Sequence, residues 1–162
     1  MKKIISLFIA LSCFSCNDGD FDVPEFEFTD NVYGCWNDLI VYITSSSNTE
    51  TMVMTLIEGE IGTTPGETSY PIASPLEVVY RIFDDGIGND YFCQAIPPIE
   101  PKVVKELIAE SGNVNIITTE IYTDLVLTGY SYEISLSDLL FLDNGERIFF
   151  ENFEFGTYEV EL

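Results

Sequence analysis

The chain has 162 residues, with 28 acidic and six basic side chains, a formal net charge of −22 at pH 7 and no histidine. That charge excludes nucleic acid as a partner, because phosphate binding needs clustered Lys and Arg. The missing imidazole removes Ser-His-Asp and Cys-His catalysis and any His-based zinc or iron site.

Met1, Lys2 and Lys3 form a short positive start, and residues 4–14 follow as an uncharged apolar run of 11 residues. A spanning helix needs about 20 apolar residues, so the run is too short to be one. A positive start, a short apolar core and a small residue before a cut make a secretory signal. The small residue is Ser15, or alternatively Ser12, and each is followed by a cysteine. This pattern resembles a lipoprotein signal peptide, in which the cysteine after the cut carries a thioether-linked diacylglycerol. The family's usual Leu three residues earlier is Cys13 for a cut at Cys16, and Ala10 for a cut at Cys13. Cys16 is the expected lipidation site and Cys13 its alternative. A plain signal peptide cut nearby is the unlipidated reading. Residues 1–15 are then the signal and 16–25 an acidic tether.

Asp18, Asp20 and Asp22 follow the cysteine at once. They resemble the acidic export tag of surface lipoproteins in the Bacteroidetes, which implies an outer-membrane lipoprotein carried to the cell surface. The alternative is a solvated tether holding the domain off an anionic surface. Two acyl chains anchor stably, so the domain itself needs no membrane-binding face.

The mature chain keeps only Arg81, Lys102, Lys105 and Arg147 as basic residues. It is one domain by length. Cys35 and Cys93 form an even pair in an exported chain, which predicts one disulfide. Closing that span of 58 residues stabilises by roughly 4 kcal/mol in the chain-entropy model. Two buried free cysteines are the alternative.

From residue 26 the pattern is β. Residues 39–44 (LIVYIT), 51–58 (TMVMTLIE) and 76–83 (LEVVYRIF) read as strands. Residues 84–90 (DDGIGND) read as a turn, and 91–96 (YFCQAI) as its hairpin partner. Residues 114–123, 125–136, 139–142 and 147–155 read as further strands, and 155–162 as the last one. Asn144-Gly145 between two apolar runs is the strongest short hairpin signal in the chain. Residues 101–112 (PKVVKELIAESG) fit either a short helix, with Val103, Val104, Leu107 and Ile108 on one face, or a hairpin turning at Ser111-Gly112-Asn113. Turns every 8–12 residues indicate a sandwich or barrel. The expected fold is therefore all-β: a single β-sandwich over 26–162, immunoglobulin-like in one form, with at most one short helix near 102–110. Tyr91 stands two residues before the second cysteine, as in immunoglobulin domains, but Trp36 directly follows the first.

The order of lipoprotein signal, DGDFD (18–22), FEF (26–28), CQAIPP (93–98) and SGNVNIITTE (111–120) is similar to small Flavobacteria-type lipoproteins of unknown function. That resemblance covers most of the chain and implies no activity.

Three sets of residues are candidates for chemistry. Asp84, Asp85, Asn89 and Asp90 offer oxygens for calcium, but Gly86 and Gly88 fall where a calcium loop wants ligands, and turn chemistry explains them equally. Trp36 offers a sugar-stacking face, or else covers the disulfide in the core. Carboxylate pairs could run glycoside hydrolysis, but no pair stands out. The expectation is a lipid-anchored binding or interaction module, not an enzyme, with no cofactor and an unknown protein or glycan as ligand. An accessory subunit of an outer-membrane complex is the alternative, and a carboxylate-dependent hydrolase the last.

Overall fold

The computed structural model describes residues 27–35, 40–57, 61–96 and 98–162. The lipidation candidates Cys16 and Cys13, the tether and Trp36 all lie outside the described residues. The elements are β1 (Phe28–Cys35), β2 (Ile40–Ser45), β3 (Glu50–Thr55), β4 (Gly66–Pro71), β5 (Glu77–Phe83), β6 (Val103–Thr123), β7 (Val126–Asp143) and β8 (Glu146–Glu161). One 3-10 turn, Tyr91–Cys93, interrupts them. The fold is all-β, as expected.

The strands form one curled antiparallel sheet in the order β1-β2-β3-β5-β6-β7-β8, with β4 branching off β6. That order is largely a meander. An immunoglobulin domain needs Greek-key crossings between two separate sheets, so the immunoglobulin-like form is not the one adopted.

Residues 101–112 contribute a strand. Val103, Val104 and Ile108 are β-branched, which favours strands, and β5 offers them an edge with Val79 opposite Ile108 and Tyr80 opposite Leu107. Residues 91–96 are not a strand. Both edges of β5 are taken, by β3 and by β6, so no edge of β5 is left for them to pair with.

The curl has a backbone cause. Side chains in a strand alternate between faces with period two. In β7 the buried residues are Tyr130, Tyr132, Ile134 and Leu136, and then the alternation switches to Leu139 and Phe141. In β6 it switches from Leu107 to Val114, Ile116 and Thr118. In β8 it switches from Ile148 and Phe150 to Phe155. The three switches line up across the sheet, because Ser111 pairs with Leu140, Asn113 with Ser137, and Ser137 with Asn152. Asp138 has φ 53° and Gly112 φ 141° at this line. Bulges of this kind bend strands and turn corners between packed layers. The sheet creases here, and its two leaves face each other.

One leaf is built on β1, β2, β3, β5 and the start of β6. The other is β4 with the later part of β6, most of β7 and the end of β8. Val41, Ile43, Met52, Met54, Val78 and Tyr80 from the first leaf share one core with Val114, Ile116, Ile134, Leu136 and Phe155 from the second. On the side away from the crease, β1 meets β8. A Cβ at Gly156 would come within 2.7 Å of Val32, and one at Gly34 would run into the Tyr158 ring.

Gly112 is where space and backbone conformation both matter. A Cβ there would lie 3.0 Å from Ile72 and 3.1 Å from the backbone of Leu139 and Ser137. Gly145, in the β7–β8 turn, has φ 94° but open space around it. Gly112→Ala should therefore cost about 2–4 kcal/mol, from backbone strain plus overpacking, and Gly145→Ala about 1–2 kcal/mol, from strain alone. Urea unfolding measures both. Equal losses would mean that the crease is not tightly packed.

Candidate functional site

The outer face of the first leaf is apolar too. Tyr42, Val53, Val79 and Ile108 lie in one row across β2, β3, β5 and β6. Tyr42, Val53 and Val79 are buried although they point away from the core. Part of their cover is the segment between β5 and β6.

That segment is held at its base and near its middle. At the base, the Asp84 amide donates to the Lys102 carbonyl at 3.0 Å, and the Lys102 amide donates to Asp84 Oδ1 at 2.8 Å. Ile87 is buried and its amide donates to the Asn48 carbonyl at 2.9 Å. Near the middle, Cys93 is bridged to Cys35 at the end of β1, with Cα atoms 5.1 Å apart. The expected disulfide is thus formed, and it draws the 3-10 turn onto the sheet.

The turn brings Tyr91 and Phe92 into an aromatic cluster. Phe92 sits 4.8 Å from Tyr42 between ring centroids, and Tyr42 stacks on Tyr33 at 5.2 Å. Tyr91 meets Phe83 and Phe92 edge-on, each at 5.1 Å. The Tyr42 hydroxyl donates to the Asn89 carbonyl. Burial, then the neighbouring Tyr33 and Asp90, push the Tyr42 phenol up to about 12.

Beside this cluster lies a half-open cavity of about 620 Å³ lined by Ile40, Arg81, Tyr91, Phe92, Gln94, Ala95, Val103 and Glu106. That is within the range of small-ligand sites, roughly 300–1,000 Å³. Its wall is mainly apolar, with three polar side chains. Arg81 Nε donates to Glu106 Oε2 at 2.6 Å, and its guanidinium lies 5.7 Å from the Phe92 ring centre. The Arg81–Glu106 pair is partly solvated, so it contributes at most about 1 kcal/mol of stability. It fixes the direction of both groups at the cavity wall.

Two of the four calcium candidates, Asp84 and Asp85, use side-chain oxygens in hydrogen bonds of the loop itself, and Asn89 and Asp90 contribute backbone carbonyls. Asp84 Oδ1 accepts from Lys102, as above. Asp85 Oδ1 accepts from the Gly86 amide at 2.8 Å. Asn89 offers its carbonyl to Tyr42, and Asp90 starts the 3-10 turn, with its carbonyl accepting from the Cys93 amide at 2.9 Å. Among the described residues no three acidic or cysteine side chains come together to hold a metal.

None of the cavity residues is a candidate for chemistry in the sequence, where Tyr91, Val103 and Arg81 enter on other grounds. The available signal was the YFCQAI stretch itself, where two aromatics and an amide flank a bridged cysteine. No family model, curated protein or solved structure matches this chain.

The buried phenol sets a pH dependence. A phenol held protonated in the fold supports stability below its unfolded value near 10, and that support is lost as pH rises toward about 12. Tyr80, whose hydroxyl donates to Glu50 Oε2 at 2.7 Å, is raised in the same direction by burial and then by that hydrogen bond. Melting temperature should therefore be flat up to about pH 10 and fall above it. Tyr42→Phe should make the fall shallower, leaving the share due to Tyr80. An unchanged alkaline slope would show that Tyr42 ionises freely in the folded state.

Proposed function

We propose that this protein is a lipid-anchored cell-envelope binding module whose ligand site is the aromatic cavity beside the Cys35–Cys93 bridge. The observation that carries the reading is the cavity's construction, an apolar wall containing Tyr91 and Phe92 with Arg81, Gln94 and Glu106 around it. Aromatic faces take the apolar face of a sugar ring, and planar amide, guanidinium and carboxylate groups suit its hydroxyls. An uncharged glycan fits best, because the strongly acidic chain repels anionic ligands at a distance. Binding is the role assigned to this cavity, with no reaction.

The N-terminal pattern supports the anchor. A cysteine-linked diacylglycerol at Cys16 holds the domain at the membrane, and the aspartates of the tether favour delivery to the outer surface. With the membrane contact carried by lipid, the face around the cavity is left for ligand.

Two measurements test the reading. In titration calorimetry against a panel of neutral oligosaccharides, Tyr91→Ser should weaken binding by about tenfold, and Gln94→Ala by about threefold to tenfold, the worth of one or two modest contacts. Tyr122→Ser, far from the cavity, should change nothing. Absence of binding across the panel, or indifference to Tyr91→Ser, would reject the glycan site. For the anchor, the mass of the intact mature protein should show acyl additions on Cys16. Cys16→Ala should move the protein to the soluble fraction while Cys13→Ala leaves it with membranes, and the reverse result would assign the anchor to Cys13.

A further inference from the structure

The β6–β7 hairpin ends in a tip with no strand on either side among the described residues. Pairing between β6 and β7 continues out to Thr123 opposite Val126. The last β4 pair is at Thr118 and the last β8 pair at Gly129. The turn residues Asp124 and Leu125 both have positive φ, 51° and 67°. Such two-residue turns favour Asn-Gly, as the chain itself uses at Asn144-Gly145 with φ 52° and 94°. A leucine in the left-handed region is a costly choice for folding. Here it is 96% exposed, so contacts within the molecule do not offset that cost.

The tip carries exposed apolar side chains on both faces. Val126 is 63% exposed and Tyr122 56%. Tyr122 pairs with Leu127 and Thr123 with Val126, so Tyr122 and Val126 point to opposite faces of the ribbon. A flat contact would cover only one of them. The surroundings are acidic. Tyr122 donates its hydroxyl to Glu120 Oε2 at 2.8 Å, Asp124 is in the turn, and Glu159 and Glu161 lie at the end of β8 beside it. The sequence has no Lys or Arg from 106 to 146 or after 147.

We propose that this tip is a plug, inserted into an apolar socket of a partner protein whose rim carries Lys or Arg. Enclosure accounts for apolar groups on both faces, and the carboxylates select a cationic rim. A second copy meeting this one tip to tip would bring the same carboxylates and no cation, since the sequence has no Lys or Arg near the tip. An anionic membrane surface is repelled for the same reason. The site is separate from the cavity, and it supports an accessory role in an envelope complex alongside ligand binding.

The test places a benzophenone amino acid at Val126 of the full chain in the cells that make it, followed by irradiation. One discrete protein adduct is expected. The double variant Glu159→Lys, Glu161→Lys should lower its yield by about tenfold, and Tyr91→Ser should leave it unchanged. Leu125→Gly should also lower it. That variant suits the turn better than leucine, so its melting temperature should not fall, and misfolding cannot explain the loss. Reversing the Lys or Arg nearest the cross-linked position in the partner should restore the adduct with the charge-reversed chain. Adducts with lipid alone, with another copy of this chain, or with no discrete species would overturn the proposal, as would a yield indifferent to the charge reversal.

Discussion

The crease through β6, β7 and β8 is the constraint on which the rest of the structure depends. A strand cannot move its apolar residues from one face to the other without breaking its period of two. This chain breaks it at the same level in three adjacent strands, next to Gly112 and Asp138. The result is that Leu139 and Phe150 serve the same core as Leu136 and Phe155, although they lie on opposite sides of the switch. One continuous sheet thereby acts as both layers of a two-layer domain. Hydrogen bonds run through the corner, and the two leaves remain joined there by the same three strands.

Curling also decides what stays outside. The first leaf carries a second apolar row behind the core, through Tyr42, Val53 and Val79, and a bare row of that kind would cost solvation or invite aggregation. Part of its cover is the irregular segment between β5 and β6. That segment makes few ladder hydrogen bonds, so it is held by Asp84, Lys102, Ile87 and the bridge at Cys93. The disulfide therefore orders more than the unfolded chain. It positions the rings of Tyr91 and Phe92 and, through them, one side of the proposed ligand cavity.

Charge separates the two proposed sites. The four basic residues beyond Lys3, Arg81, Lys102, Lys105 and Arg147, all lie on the first-leaf side of the crease or in the segment over that leaf. Arg81 pairs with Glu106, and Lys105 Nζ pairs with Asp143 Oδ2 at 2.5 Å. The far end of the second leaf carries no cation. The cavity thus has a fixed guanidinium at its wall, which suits the neutral polar ligand proposed for it, while the hairpin tip presents carboxylates around apolar groups. Two proposed sites of such different character suit two different partners, and the proposed lipid anchor would hold both at the same surface.

The sequence by itself determined the β class, the bridge between Cys35 and Cys93 and the Asn144-Gly145 hairpin. These follow from period-two patterning, cysteine parity and turn stereochemistry, which are local or additive properties. It even marked the crease, since the reading of 125–136 and 139–142 as separate strands broke the chain where the alternation switches. What it could not express was that the strand continues through the break, because a bulge and a loop have the same apolar pattern. Only the tertiary structure decided that 101–112 is a strand, since β5 had an edge to offer. It also decided that 91–96 is not one, since β5 by then had none. The cavity was invisible for the same reason. Ile40, Arg81, Tyr91 and Val103 come from separate segments, and only the disulfide and the sheet bring them to one place.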